Sequence, residues 1–288
     1  MEISGRTGLL GLIGSPVGHS GSPAMYNYSF EILDLDYRYL AFDIPVEKTE
    51  DAVNAFRTFN MKGGNVTMPC KGEVAKYMDE LSPASRIIGA CNTIINKDGK
   101  LIGDITDGKG YVRNLKENGV DIKGKKMTIM GAGGAATAIQ VQAALDGVKE
   151  ISIFNRKDEF YERAQKTVKD INEKTNCKAT LYDLEDLDKL KEEIASSYIF
   201  TNATGMGMKP LEGQTYIPDK SFLREDLIVT DVVYAPAETA LLKMAKEVGC
   251  KTLNGFPMML FQGAAAFKLW TNQDMPIEHV KEVMGIQY

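Results

Sequence analysis

Along the first hundred residues, short apolar runs alternate with stretches whose apolar positions recur at helical spacing. Leu9 to Ile13, Tyr37 to Ile44 and Gly64 to Thr67 predict strands, and Ser22 to Leu33 and Thr49 to Phe59 predict helices. The first helix is expected to open with Ser22 as N-cap, accepting an orphan N–H, and Pro23 at the first helical position, where it has no N–H to leave unpaired. Ala90 to Asn96, the turn Lys97-Asp98-Gly99 and Lys100 to Gly103 read instead as a β-hairpin, an antiparallel addition to a mostly parallel sheet. A helical stretch near Gly108 to Asn118 follows. Strand and helix patterns then alternate as far as Leu253, with Ile151 to Phe154, Tyr198 to Ala203, Leu227 to Val233 and Thr239 to Val248 among them. The pattern predicts an α/β protein whose second half is a doubly wound sheet of about six strands. The apolar stretch Pro257 to Trp270 predicts a helix that folds back on the first half.

One segment adds chemistry to this pattern. Lys126 to Ala136 reads KMTIMGAGGAA: a short apolar run, glycines spaced G-x-G-x-x-A, then a helical stretch from Thr137 to Leu145. Gly131 permits a tight turn, Gly133 lets backbone N–H groups approach a pyrophosphate, and the small Ala136 allows close helix–strand packing. The pyrophosphate would sit on the positive end of the helix. With Ile151 to Phe154 as the next strand this is a βαβ unit of about 30 residues. A purely structural turn is the bland reading, and methyltransferases carry similar loops.

Composition narrows the function classes. The chain of 288 residues is 44% apolar and 25% charged, enough for two medium domains, and its net charge of −5 offers no basic field for nucleic acid or an anionic membrane. Cys70, Cys91, Cys177 and Cys250 lie far apart without a C-x-x-C, so neither a zinc knuckle nor a redox pair is indicated, and a reduced, cytoplasmic setting is expected. No apolar run reaches the roughly 18 residues of a membrane helix, and MEISGRTG lacks the features of a signal peptide. The two histidines, His19 and His279, stand at opposite ends of the chain, which argues against a two-histidine metal site. His279, in IEHVKEVM, reads as a solvated helix position. Acid–base chemistry falls to Lys, Asp, Glu or Tyr.

Three polar clusters lie at strand ends or turns of the first half: Ser20-Gly21-Ser22, Asn65 to Lys71, and Thr106-Asp107-Gly108. In an open α/β sheet such segments converge where ligands bind. Their bland readings are a helix cap, a proline turn and a second cap. Taken with SPVGHSGSP, GGNVTMPCK, GACNTI, TDGKG, GAGGAA, NRKDEF, TNATGMGM, DVVYAP and NGFPMMLFQGA, they make a chain that resembles the shikimate and quinate dehydrogenases over essentially its whole length. NRKDEF and the tail GFPMMLFQGAAAFKLW look closer to the branch that oxidises both acids.

The resemblance implies a Rossmann-type dinucleotide domain over 109–256 and an α/β substrate domain over 1–108 completed by 257–288, with the active site in the cleft between them. It implies that Ser20, Ser22, Thr67, Asn92 and Gln262 hold a small ring carboxylate, the serines facing its carboxylate, with Tyr234 at the nicotinamide end and near substrate. A packed tyrosine is the bland reading of Tyr234. Lys71 and Asp107 are then the catalytic pair: oxidising an alcohol requires the hydroxyl proton to leave as hydride passes to nicotinamide. Partial burial would lower the lysine pKa and a neighbouring aspartate would raise it. Cofactor contacts are expected from Gly131, Ala132, Gly133, Gly134, Ala135, Asn155, Arg156, Lys157, Asp158, Thr204, Met206, Val232 and Gly255. Asn155 ends the second strand where an NAD site carries Asp or Glu; Arg156 and Lys157 suit a 2′-phosphate, whereas Asp158 suits a ribose diol. NAD and NADP are both expected, with a lean toward NAD from Asp158, and no metal. The partner is a small molecule, with no nucleic acid or membrane, and the protein is a monomer or homodimer.

Two departures stand out. The family's Asn before Thr-Asp-Gly is Ile105 here, preceded by Asp104, and Gly21 replaces a larger residue between the serines. An isoleucine supplies no side-chain hydrogen bonds, so the loop carrying Asp107 is expected to be held differently. A related ring acid such as an amino-substituted one, or a nucleotide-binding sensor without turnover, are the alternatives; retention of Lys71 and Asp107 argues against the sensor, and the first-half clusters have no role in a methyltransferase.

Overall fold

The computed structural model describes residues 2–285. Contacts divide the chain into two units, Met1–Thr106 with Gln262–Tyr288 and Asp107–Phe261. Residue 1 and residues 286–288, the end of the expected C-terminal segment, lie outside the described residues.

The first unit contains β1 (Gly8–Gly14), α1 (Ser22–Ile32), β2 (Tyr37–Asp43), α2 (Thr49–Thr58), β3 (Gly63–Val66), α3 (Lys71–Val74), β4 (Glu80–Leu81), α4 (Pro83–Ile88), β5 (Thr93–Lys97) and β6 (Lys100–Asp104). Its strands lie in the order β2-β1-β3-β5-β6-β4. The pairs β1/β2, β1/β3 and β4/β6 are parallel, while β5 runs antiparallel to β3 and β6. The hairpin β5–β6 turns on Asp98 (φ 54°) and Gly99 (φ 91°), both in the left-handed region that a two-residue hairpin turn needs. Its first strand begins at Thr93, later than the pattern suggested, because Asn92 bends to serve the site described below.

The expected cap at Ser22 is not formed. Ser22 is already helical, the N-cap is Gly21, and no side chain caps the helix; instead Ser20 Oγ accepts the Ser22 N–H at 3.2 Å. A Ser-Pro cap does form at Ser82-Pro83, where Ser82 Oγ accepts the Ser85 N–H and opens α4, a short helix the sequence reading did not include.

The second unit runs α5 (Asp107–Glu117), β7 (Lys126–Met130), α6 (Gly134–Leu145), β8 (Glu150–Asn155), α7 (Tyr161–Lys174), β9 (Lys178–Asp183), α8 (Leu187–Ala195), β10 (Ile199–Asn202), β11 (Ile228–Asp231), α9 (Ala240–Val248) and β12 (Lys251–Leu253). All its strands are parallel, in the order β12-β11-β10-β7-β8-β9. That is the doubly wound dinucleotide-binding order, reversing beside β7, where ligands bind at the carboxyl ends of the strands. Helix α10 (Phe256–Thr271) leaves this unit and re-enters the first, and α11 (Ile277–Val283) follows, with His279 exposed on it. The returning segment completes the aromatic core of the first unit: Tyr26 meets Tyr39 at a tilt (4.7 Å) and Trp270 edge-on (5.1 Å), Phe30 stacks on Phe267 (5.5 Å), and Trp270 Nε1 donates to Ile94 O at 2.9 Å. The four cysteines are buried and unpaired, and no described helix is long and apolar enough to cross a membrane.

Strand β2 is a sheet edge, a row of backbone groups open to wrong pairing. Asn27 of α1 closes part of it: its amide accepts the Tyr39 N–H and donates to the Tyr39 carbonyl, both at 2.8 Å, as a neighbouring strand would. Asn27→Ala leaves this buried pair unmatched and should destabilise the protein by about 1–3 kcal/mol in denaturant unfolding; an unchanged midpoint would mean that water replaces the amide at no cost.

Candidate active site

In the first unit the carboxyl ends of β1, β3 and β6 and the start of β5 bring together the polar clusters. Ser15 N–H donates to Met68 O and Thr67 N–H to Ile13 O, so the serine loop lies against the Thr67–Lys71 loop. Ser20 and Ser22 are partly exposed beside the uncapped N-terminus of α1, a position where hydroxyl donors and the helix dipole favour an anion. Lys71 opens α3, half-buried, and its carbonyl accepts the Cys91 N–H at 2.9 Å, which fixes Lys71 beside Asn92.

Asn92 is the centre of a buried network. Its Oδ1 accepts from Thr106 N–H (2.9 Å), Thr106 Oγ1 (3.2 Å) and Thr93 Oγ1 (2.9 Å). The oxygen is therefore committed to protein, and Nδ2 is the end left to donate to a ligand. Thr106 Oγ1 also reaches Gln262 Oε1 at 3.3 Å, placing Gln262 of α10 in the same cluster. Asn65, behind it, accepts from Tyr39 Oη at 2.8 Å and donates to Asn92 O at 3.2 Å. Asn65, Thr93 and Thr106 were not singled out as site residues from sequence. Their signal was present as polar residues at strand ends, but only pairing across β3, β5 and β6 shows that they share one network.

The loop before Asp107 is held by its own neighbours. Ile105 is buried, and Asp104 Oδ1 accepts the Ile105 N–H at 2.8 Å, while the Asp104 carbonyl accepts the Asn92 N–H. Gly21 leaves room that Met284 occupies: a Cβ there would come within 3.2 Å of the methionine methyl.

In the second unit the glycine turn leaves open space at the start of a helix. Gly131 has φ +109°, and a Cβ would meet Ala203 O at 2.7 Å, so no other residue fits. Gln140 Nε2 donates to Gly131 O at 2.8 Å and pins the turn. Around Gly133 and Gly134 there is open space, and α6 begins without a side-chain cap, leaving its first N–H groups to a bound anion. A cavity of about 250 Å³ opens there, lined by Gly131, Gly133, Asn155, Arg156, Thr204 and Met206 among others. Ala132 stands in the same turn, and Ala135 in the first turn of α6. These features fit a dinucleotide.

The residues after β8 divide their labour in an unexpected way. Asp158 Oδ1 accepts from Asn155 Nδ2 (3.0 Å) and Phe160 N–H (2.9 Å), so this oxygen closes the turn and is not free to hold a ribose. Lys157 pairs with Asp183 at 2.9 Å. Arg156 is exposed, its guanidinium 6.0 Å above the Tyr216 ring. The lean toward NAD drawn from Asp158 therefore loses its physical basis.

Two rungs of the β10/β11 pair, Thr201 opposite Thr230 and Asn202 opposite Asp231, are polar and buried. Tyr111 Oη lies 2.7 Å from Thr201 Oγ1 and 3.0 Å from Thr230 Oγ1, while Thr230 Oγ1 donates to Thr201 Oγ1 at 2.8 Å. This triangle of hydroxyls fastens α5, whose first residue is Asp107, one helical turn before Tyr111. Gly108 brings the same helix onto α6, since a Cβ would lie 2.3 Å from Ala138 O. The second rung is taken up below. Val232 N–H donates to Asn202 O and Gly255 N–H to Val233 O, which sets both predicted backbone contacts beside the rung. Tyr234 is 51% exposed, so it is not the packed tyrosine of the bland reading; its ring meets Phe256 edge-on at 6.4 Å.

Comparison with known proteins agrees with this geometry. Residues 12–94 match the shikimate dehydrogenase substrate binding domain and residues 255–284 the shikimate 5′-dehydrogenase C-terminal domain. A relative from Listeria innocua named shikimate dehydrogenase (NADP(+)) is 60% identical over 98% of this chain and 97% of its own. This chain belongs to the shikimate dehydrogenase family. A family member from Listeria monocytogenes, solved with shikimate and NAD, superposes with a TM-score of 0.96 at 59% identity over 99% of this chain and 98% of that one. A quinate dehydrogenase from Corynebacterium glutamicum, solved with NAD, is more distant, at TM-score 0.85 and 29% identity over 98% of this chain and 99% of that one. As in the family, two parallel-dominated α/β sheets carry the fold.

The hydroxyl triangle has a direct test. Tyr111→Phe leaves Thr201 and Thr230 short of one buried partner and should lower unfolding free energy by about 1–2 kcal/mol. Denaturant titration reads it, and a loss below about 0.3 kcal/mol would show that the two threonines satisfy each other.

Proposed function

We propose that the protein is a shikimate dehydrogenase, interconverting shikimate and its 3-ketone with a nicotinamide cofactor. The observation that carries this reading is the donor set of the first unit: Asn92, its oxygen committed to protein and its amide NH₂ left to donate, beside Lys71 and two hydroxyls at the start of α1. Such a set suits a ring bearing several hydroxyls and one carboxylate. In this reading Ser20 and Ser22 hold the carboxylate, and Thr67, Asn92, Gln262 and Tyr234 hold the ring hydroxyls and the nicotinamide end.

Bound nicotinamide supplies or accepts the hydride. The protein's task is the proton. In oxidation the neutral Lys71 amine takes the proton of the reacting hydroxyl; in reduction its ammonium returns a proton to the carbonyl oxygen. Asp107 is the second member of the catalytic pair in this reading, and the triangle at Tyr111 keeps the helix that begins with Asp107 in place. Asn92, unable to turn its amide, fixes the ring so that one hydroxyl meets Lys71.

For the cofactor, support favours NADP with NAD also accepted. Arg156 is an exposed cation at the end of β8, Lys157 beside it is paired with Asp183, Asp158 is engaged in its turn, and relatives are named for NADP or solved with NAD. Val232, Gly255, Thr204 and Met206 are assigned to the same ligand. The likeness of NRKDEF to the dual-acid branch makes quinate the second substrate to test.

Purified protein should reduce NADP with shikimate at alkaline pH, read as nicotinamide absorbance, in a grid that also includes quinate and NAD. Silence in every combination, with cofactor binding intact, would overturn the dehydrogenase reading. Lys71→Ala should cut kcat by about two to four orders of magnitude and leave cofactor affinity within about twofold. Arg156→Ala should raise the KM for NADP about tenfold or more while sparing NAD, since only the former loses a charge-assisted phosphate contact; equal effects on both would remove Arg156 from cofactor choice.

A further inference from the structure

The second polar rung contains a carboxylate for which the proposed chemistry has no use. Asp231 is 2% exposed at the end of β11, and among the described residues no Lys, Arg or His forms an ion pair with it. Its Oδ1 accepts from Asn202 Nδ2 at 2.9 Å and Val233 N–H at 3.0 Å, and its Oδ2 accepts from Thr239 Oγ1 at 2.7 Å. Burial pushes its pKa up to about 6 in spite of these three donors. A buried carboxylate without a cationic partner is costly to the fold even when hydrogen-bonded, so what its three acceptor bonds organise is the question of its role.

Each of the three donors begins a different segment. Asn202 Nδ2 also donates to Met206 O at 3.0 Å, and Asn202 Oδ1 accepts both the N–H (3.2 Å) and the hydroxyl (2.7 Å) of Thr204. Thr204 Oγ1 in turn accepts the Met206 N–H at 3.1 Å. That chain shapes the Thr204–Met206 loop, which walls the nucleotide cavity. Val233 starts the turn that leads to Tyr234, and Gly255 N–H rests on its carbonyl. Thr239 caps α9, its Oγ1 accepting the Leu242 N–H at 3.3 Å. One side chain thus ties the loop after β10, the turn after β11 and the start of α9.

We infer that Asp231 is a positioning residue of the dinucleotide site, setting the Thr204–Met206 loop through Asn202 and the Val232–Tyr234 turn through Val233. The inference rests on the dinucleotide reading above. The site is acceptor-only: an amide, an N–H and a hydroxyl all point at the same carboxylate. Asparagine matches two of these donors and must turn its own NH₂ toward Thr239, which then has no acceptor for its hydroxyl hydrogen. Alanine matches none.

The test is NADP⁺ affinity by calorimetric titration, with amide hydrogen exchange of Thr204 and Met206 and the thermal midpoint measured on the same samples. Asp231→Ala should weaken NADP⁺ binding about tenfold or more, and Asp231→Asn by about two- to fivefold. Exchange at Thr204 and Met206 should accelerate in the same order, while the midpoint does not fall in that order, because each substitution also removes a desolvated charge. Unchanged affinity and unchanged loop exchange in both variants would overturn the inference. If Asp231→Ala does not fold, Asp231→Asn decides, and wild-type affinity in that variant overturns it. Failure of the wild-type protein to bind NADP⁺ or NAD⁺ would instead overturn the dinucleotide reading, a separate result.

Discussion

Thr201 faces Thr230 and Asn202 faces Asp231 across one parallel strand pair, and the organisation of the second unit depends on that register. Successive residues of a strand point to opposite sides. The first rung turns its hydroxyls to Tyr111 and so anchors α5; the second turns its amide and carboxylate to the loops at the strand ends. A slip of one residue would exchange the two roles, leaving a phenol against a carboxylate and a loop without its anchor. The apolar residues that flank these rungs, Phe200 and Val229, are fully buried and hold the register by packing.

The first unit solves a similar problem with amides. An asparagine can usually flip, presenting oxygen or nitrogen to a ligand with equal ease. Three donors on Asn92 Oδ1 remove that freedom. Asn65 and Tyr39 stand behind it in turn. Such buried networks are rigid where their members are satisfied, so the Asn92 amide keeps one orientation.

Much of this was legible in the chain. Gly131 and Ala136 announced the nucleotide turn because only small residues fit it, and Asp98-Gly99 announced the hairpin because its φ values are positive. Strand ends were legible where polar clusters interrupted apolar runs. What escaped was set by distance along the chain. Asn27 as a surrogate strand, Tyr111 on Thr201 and Thr230, and Asn202 opposite Asp231 each join residues whose local context is unremarkable. Asp158 misled for the opposite reason: its residue type suited a ribose, but a turn two residues long claimed one of its oxygens first. At Ser22-Pro23 the local signal was real and shifted by one position, since Ser20 reaches the helix end that Ser22 was expected to cap.

The interrupted course of the first unit bears on how the chain emerges from the ribosome. Domains form as they are synthesised, and the second unit, Asp107–Phe261, is one uninterrupted stretch, whereas the first lacks Phe267 and Trp270 until the far end of the chain has been made. Until then Tyr26 and Phe30 have an incomplete aromatic core and the Ile94 carbonyl has no indole to bond. The unit begun second is therefore the first that can be finished.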